Sequence, residues 1–256
     1  VNVSHDDVMR VADALWSAYE TGAPLPGEMF EPLSYEDGLT VQAEILRRRL
    51  ARGDVQVGWK VGLTSERART LVGIDDRPFG HVMRLVRSGA DIAADAAVGA
   101  TIEAELCFTA AERISGPELT ADDARARLAT AAAGYELNER RAVPGGDIAF
   151  LVGDNLTNWG IVEGDGVAVD EVSDIDATQV TVTCNGEKRF ACVSRDEVDT
   201  PYESIARLAA TLHRHGLAIE PGHKIITGAY CRFDVEPGQT WTADYSGLGR
   251  VEITYT

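Results

Sequence analysis

The sequence predicts an α+β chain: a helical N-terminal part, residues 1–60, followed by a β-rich mixed-sheet domain, residues 61–256. Three observations carry this. Apolar residues recur at helical spacing through most of the first 52 residues. Short apolar runs of strand length crowd the remainder, and only two further helices stand out beyond residue 100. Strand and helix do not alternate regularly, which disfavours a doubly wound parallel sheet.

The first helix starts at Ser4, with Asp7 three residues on in a capping-box-like pattern. Val8, Val11, Ala12, Leu15, Trp16 and Tyr19 then share one side. The stretch LPGEMFEPLS reads as a connector. A second helix runs from about Ser34 to Arg52, with Gly53 placed as its C′ glycine. VQVGWKVGL and TIEAELCF follow as strands. A third helix is expected from Thr120 to near Gly134, and IAFLV as another strand. TQVTVTCNGEKRFACV reads as a hairpin turning at Asn185-Gly186. The fourth helix has Thr200 as N-cap, Pro201 at N1 and Glu203 at N3, and stops at Gly216. HKIITG, QTWTADY and RVEITYT supply the last strands.

Composition narrows the function classes. Of 256 residues 45% are apolar and 25% charged, an ordinary globular mixture. The formal net charge of −17 repels phosphate backbones, so nucleic acid is not an expected partner. It also repels small anions, so a site for one needs local cations. No run of about 18 apolar residues occurs, and no membrane span is expected. The N-terminal VNVSHDDVMR lacks a signal-peptide pattern, and a cytoplasmic setting is the expectation. Cys107, Cys184, Cys192 and Cys231 are scattered without a C-x-x-C, against both a zinc site and a disulfide framework.

Four segments carry charged or polar residues in apolar settings. In TIEAELCF, strand alternation puts Ile102, Ala104, Leu106 and Phe108 on one face and Glu103, Glu105 and Cys107 on the other. Taken alone, that is a half-exposed strand with a solvated polar face; two carboxylates this close otherwise need a cation. In GWKVGLTS, Lys60 lies opposite the apolar set between two glycines. Alone it reads as a surface lysine, and the spacing is not that of a P-loop. YELNERR adds Glu136, Glu139 and Arg141, and LVGDNLTNWG adds Asp154-Asn155, by itself a turn.

Together and in this order, the segments resemble the hydratase and decarboxylase branch of the fumarylacetoacetate hydrolase superfamily. That branch holds 2-keto-4-pentenoate hydratase, 2-oxo-hept-4-ene-1,7-dioate hydratase and 4-oxalocrotonate decarboxylase. Its G-x-K-x-G-L-T-S segment is matched by Gly58, Lys60, Gly62, Leu63, Thr64 and Ser65. Its E-x-E strand is matched by Glu103 and Glu105, its E-hydrophobic-x-[DE]-x-R segment by Glu136, Leu137, Glu139 and Arg141, and its D-N pair by Asp154 and Asn155. GHKIITG, CRFDV and ADYSGLG stand where the family has its C-terminal segments.

The resemblance implies that Glu103, Glu105 and Glu136 bind one divalent cation, Mg2+ or Mn2+. Three hard oxygen donors agree with that choice. It implies a small 2-oxo or 2-hydroxy-dienoic acid as substrate, and a lyase that adds water through a metal-stabilised enolate. Decarboxylation or tautomerisation at the same metal site stays open. A carbon–carbon hydrolase ranks lower because no histidine falls in the ligand segments, and a non-catalytic acid-binding relative ranks lower still. Lys60 is the implied acid/base or charge-stabilising group, its pKa lowered by burial and the cation. Thr64 and Ser65 are implied contacts of the substrate carboxylate. Asp154 and Asn155 line or brace the site, and Arg141 braces Glu136 and Glu139 or pairs with a carboxylate. A homo-oligomer is implied as well. The chain departs from the pattern in RPFG, where Pro78 replaces the usual acid. Asp76, with Asp75 and His81 as alternatives, is the expected substitute, unless the reaction does not need that acid.

Overall fold

The computed structural model describes residues 3–22, 33–140 and 148–256, and the LPGEMFEP part of the expected connector and Arg141 lie outside them. In chain order the elements are α1 (His5–Thr21), α2 (Tyr35–Ala51), β1 (Gly58–Val61), α3 (Glu66–Val72), β2 (Phe79–Val82), β3 (Leu85–Arg87), β4 (Ala90–Ile92), β5 (Thr101–Ala110), α4 (Ala121–Arg125), β6 (Leu128–Asn138), α5 (Ile148–Gly153) and β7 (Asn158–Ala168). They continue with β8 (Gln179–Cys184), β9 (Glu187–Val193), α6 (Ser194–Glu197), α7 (Pro201–Arg214), β10 (Lys224–Ile226), β11 (Cys231–Asp234), β12 (Thr240–Tyr245) and β13 (Gly249–Tyr255).

Local chemistry explains the helix starts. Ser4 with Asp7, Ser34 with Asp37 and Thr120 with Asp123 each close a complete capping box, so the first exposed N–H groups of α1, α2 and α4 find acceptors. Val8, Val11 and Leu15 of α1 pack on Val41 and Ile45 of α2. Gly38 lets α5 lie directly on α2, because a side chain there would collide with the Ala149 carbonyl. The β8–β9 hairpin turns at Asn185 and Gly186, both at positive φ (50° and 81°), as a two-residue turn requires.

Two sheets form the body. The larger runs β2-β1-β10-β5-β6-β7-β3, with β11 also paired to β5, and curls so that β2 returns against β7. The smaller runs β4-β13-β12-β8-β9. The main core lies where the sheets meet: Ile102, Ala104, Leu106 and Phe108 of β5 join Trp241, Ala243, Tyr245, Val251 and Ile253. The opposite face of β5, inside the curl, carries Glu103, Glu105 and Cys107. An apolar cluster of Val82, Cys107, Ile161 and Ile226 closes that interior. Among the described residues no helix is long and apolar enough to cross a membrane.

Three sequence expectations change. The helix expected from Thr120 to near Gly134 ends at Arg125, and Leu128–Asn138 is the central strand β6. The alanines at 129 and 131–133 read as helix formers, but flanking strands on both sides decide the conformation. IAFLV is not a strand but lies in α5, since a short apolar run does not distinguish the two. The β5 polar face is not solvated: strands flank β5 on both edges and the curl covers that face, so every residue from Thr101 to Phe108 is buried.

Candidate metal centre

Register brings the glutamates together. Glu103 on β5 stands directly opposite Glu136 on β6, and directly opposed residues share a face. Glu105, two residues on, faces Gly134. Any Cβ on Gly134 would lie 3.0 Å from Cys107 Cβ, so the glycine lets the strands close here. One carboxylate oxygen from each of the three glutamates lies within 4.8 Å of the others, and all three residues are buried.

Each carboxylate has its own donors. Glu103 accepts from Asn138 Nδ2 (2.9 Å) and Arg232 Nε (2.7 Å). Glu136 accepts from Asn158 Nδ2 (2.8 Å) and Lys60 Nζ (2.7 Å). Glu105 Oε2 accepts from the Gly228 N–H at 2.7 Å. Burial pushes Glu103 up, but Lys60 and Arg232 outweigh it and hold its carboxyl below the usual range. Burial, with repulsion from Glu136 and Glu103, drives Glu105 well above it. Glu136 is pushed up to about 7 by burial, with Lys60 pulling the other way.

Lys60 is buried, not a surface residue. It lies on β1 opposite Gly80, and its ammonium donates to Glu136 and to the Leu156 carbonyl at 3.0 Å. Burial lowers its pKa, but Glu136, Glu103 and Glu105 outweigh that and raise it. The expected lowering invoked a bound cation; without one, the three carboxylates keep the group an ammonium. The Leu156 carbonyl is aimed by an unusual backbone. Asn155, Leu156 and Thr157 take positive φ in succession (58°, 50° and 66°), which costs about 1–2 kcal/mol per L-residue.

The remaining expected residues divide. Thr64 is buried against Gly228, where any side chain would collide with Thr64 Oγ1, so it lies beside the Glu105 contact. Ser65 caps α3, its Oγ accepting from the Ala68 N–H at 3.2 Å. Asn155 is saturated by protein. Its oxygen accepts from the His81 N–H (2.7 Å) and Gln42 Nε2 (3.3 Å), and its amide donates to the carbonyls of His81 (2.9 Å) and Asn158 (3.3 Å). It braces β2 through both bonds to His81. Asp154 is buried at the end of α5. Asp76 is not brought to the glutamates. Its carboxylate takes Arg214, Thr211 Oγ1 (3.0 Å), Tyr35 OH (3.3 Å) and the Arg77 N–H (2.9 Å), tying α7 and α2 together. His81, opposite Trp59 in the β1–β2 register, lies on the other sheet face from Lys60. Arg141 lies outside the described residues. Sequence reasoning missed Asn138, Asn158, Gly228 and Arg232. The CRFDV and GHKIITG segments were noticed, but nothing local shows that β10 and β11 flank β5.

The donor set fits a hard divalent cation. Three carboxylates converge in a buried space, and Glu105 Oε1 takes no hydrogen bond from a described residue. Like charges at this spacing are compensated by a cation or by protonation, and an all-oxygen set selects Mg2+-like ions over zinc.

Comparison with known proteins agrees with this geometry. No protein-family model matches the chain. It is 24% identical over 236 residues to 2-oxo-hept-4-ene-1,7-dioate hydratase of Escherichia coli, covering 88% of each. The solved structure of 4-oxalocrotonate decarboxylase from Pseudomonas putida G7, complexed with magnesium and adipate, superposes with a TM-score of 0.92 at 26% identity, covering 100% of this chain and 99% of that one. Fumarylpyruvate hydrolase from Pseudomonas aeruginosa, at 18% identity and a TM-score of 0.59 over 79% of this chain and 90% of that one, shares the fold. In sequence over most of its length and in fold, the chain is similar to hydratases and decarboxylases of the kind its motifs resemble in the fumarylacetoacetate hydrolase superfamily. The matches that span most of both chains lie among hydratases and decarboxylases.

Proposed function

We propose that this chain is a metal-dependent lyase that adds water to a short 2-hydroxy-2,4-dienoate or its 2-oxo tautomer. The observation that carries the proposal is the buried triad with an ammonium built into its edge: Glu103, Glu105 and Glu136 within 4.8 Å, and Lys60 2.7 Å from Glu136. In this reading the three glutamates hold Mg2+, with Mn2+ as a substitute. The ion supplies Lewis-acid stabilisation of negative charge on the substrate's C2 oxygen. Lys60, anchored by Glu136 and the Leu156 carbonyl, keeps a further N–H to stabilise charge or to deliver a proton to carbon. Thr64 and Ser65 remain candidates for the substrate carboxylate, and Asp154 for the pocket wall. A cytoplasmic homo-oligomer completes the proposal, on the resemblance given above.

One observation favours a second reading. Pro78 stands where the family's acid would be, and Asp76 is spent on Arg214 and Thr211. Decarboxylation or tautomerisation needs no group to activate water, so either suits a site with Lys60 as its proton donor. Loss of dienoate absorbance, with CO2 measured in parallel, tests both. Turnover should need Mg2+ and stop with EDTA. Glu105→Gln should keep the circular dichroism spectrum and lose activity by more than the roughly 10–100-fold that an outer partner of a ligand costs. Turnover unaffected by EDTA would overturn the proposal.

A further inference from the structure

Arg232, in the CRFDV stretch that stands where the family has an R-P-V-like segment, is a cation that the mechanism above does not use. It stands directly opposite Glu103 in the β11–β5 register, so it shares the face of Glu103 and Glu136. Its Nε donates to Glu103 Oε1 at 2.7 Å, and its side chain is 48% exposed against 6% for Glu103. The guanidinium is therefore pinned through one nitrogen at the boundary between the triad and solvent. Its terminal nitrogens have no hydrogen-bond partner among the described residues. The arginines at a nearby structural cluster behave differently: Arg69 and Arg77 both bond Asp199 through terminal nitrogens.

The triad thus lies between two cations of different kinds. Lys60, on the Glu136 side, is buried and committed to two acceptors. Arg232, on the Glu103 side, is oriented but has an open fork. Charge counting gives that fork a task. Three carboxylates against Lys60, Arg232 and a dication leave one positive charge, which a monoanionic acid neutralises. On a chain of net charge −17, this is where an anion is welcome. A planar fork matches a carboxylate in two-point geometry, as a lysine does not.

We infer that Arg232 is the substrate-orienting residue that receives the carboxylate head of the bound acid, selecting 2-oxo acids over uncharged chelators. The inference rests on the 2-oxo acid reading above and assigns the head group to a residue of β11. The test is calorimetric titration of the Mg2+-loaded full chain with oxalate, pyruvate and pyruvamide, the uncharged amide of pyruvate. Arg232→Gln should weaken oxalate and pyruvate by about 10–100-fold, the range of a hydrogen bond to a charged group. Pyruvamide should be unaffected, and Mg2+ alone should bind no more weakly. Arg232→Lys should recover only part of the loss, because it restores charge without the fork. Acid binding that survives Arg232→Gln overturns this inference alone. A parallel fall for the acids and pyruvamide also overturns it, since Arg232 would then merely hold Glu103. Wild-type protein that binds neither acid overturns the 2-oxo acid reading and the inference with it.

Discussion

Replacing Lys60 by methionine removes a buried ammonium and leaves its partner in place. Glu136 is fully buried, and its bond from Lys60 Nζ is 2.7 Å long. Breaking one side of such a pair typically costs about 3–5 kcal/mol, because the remaining charge has no solvent. For a chain of this length each kcal/mol moves the melting temperature by about 2–4 °C, so a fall of roughly 6–20 °C is expected for the metal-free protein near pH 8. The loss should shrink at pH 5, because the Glu136 carboxyl, already pushed up to about 7, is then protonated and needs no counter-charge. Saturating Mg2+ should also shrink it, by supplying the missing positive charge. Scanning calorimetry at both pH values, with and without Mg2+, measures all four cases. Activity should fall by roughly 10²–10⁴-fold, the usual worth of a positioned proton donor, while Mg2+ still binds. A melting temperature unchanged at pH 8, or turnover within a few-fold of wild type, would refute the reasoning.

Two further outcomes follow from the same site. Glu105 and Glu136 have folded-state pKa values raised above the ordinary carboxylate range, so they contribute stability at low pH that is lost as pH rises, through about 7 in the case of Glu136. The raised pKa of Lys60 adds nothing in that window, since its ammonium stays protonated throughout. Mg2+ displaces the carboxyl protons, so the thermal shift caused by a fixed Mg2+ concentration should grow from pH 5 to pH 8; a flat shift by fluorimetry would contradict this. Asn155→Ala removes both bonds to the His81 backbone and places alanine at φ 58°. A loss of about 2–4 kcal/mol by urea unfolding is expected, with kcat lowered more than KM because Lys60 loses its aim. An equal change in both would place Asn155 against the substrate after all.

Much of the architecture is legible in the chain. The capping boxes at Ser4 and Ser34, the Pro201 start and the Asn185-Gly186 turn are local signals, and each acts locally in the structure. What failed was decided at long range. The alanines of β6 form a strand because β5 and β7 pair with them, and no residue nearby says so. The triad was readable as two residues on one strand face plus a third glutamate from a family motif. Its surroundings were not: Asn138 and Asn158 look like ordinary strand-end residues, and Arg232 meets Glu103 across 129 positions. The surroundings of Asp76 were hidden for the same reason. Its partners Thr211 and Arg214 lie 135 and 138 residues away, on a helix that packs against it only in the folded chain.

The left-handed run from Asn155 to Thr157 has a consequence for how the site can change over time. Half of the grip on Lys60 comes from a main-chain oxygen, which every amino acid possesses. Swapping the side chain at 156 therefore cannot delete that acceptor, whereas inserting a residue, or a proline that forbids positive φ, would swing it away. Drift at this position is tolerated chemically but not geometrically. The weak point of the lysine's anchorage is loop length, not residue identity.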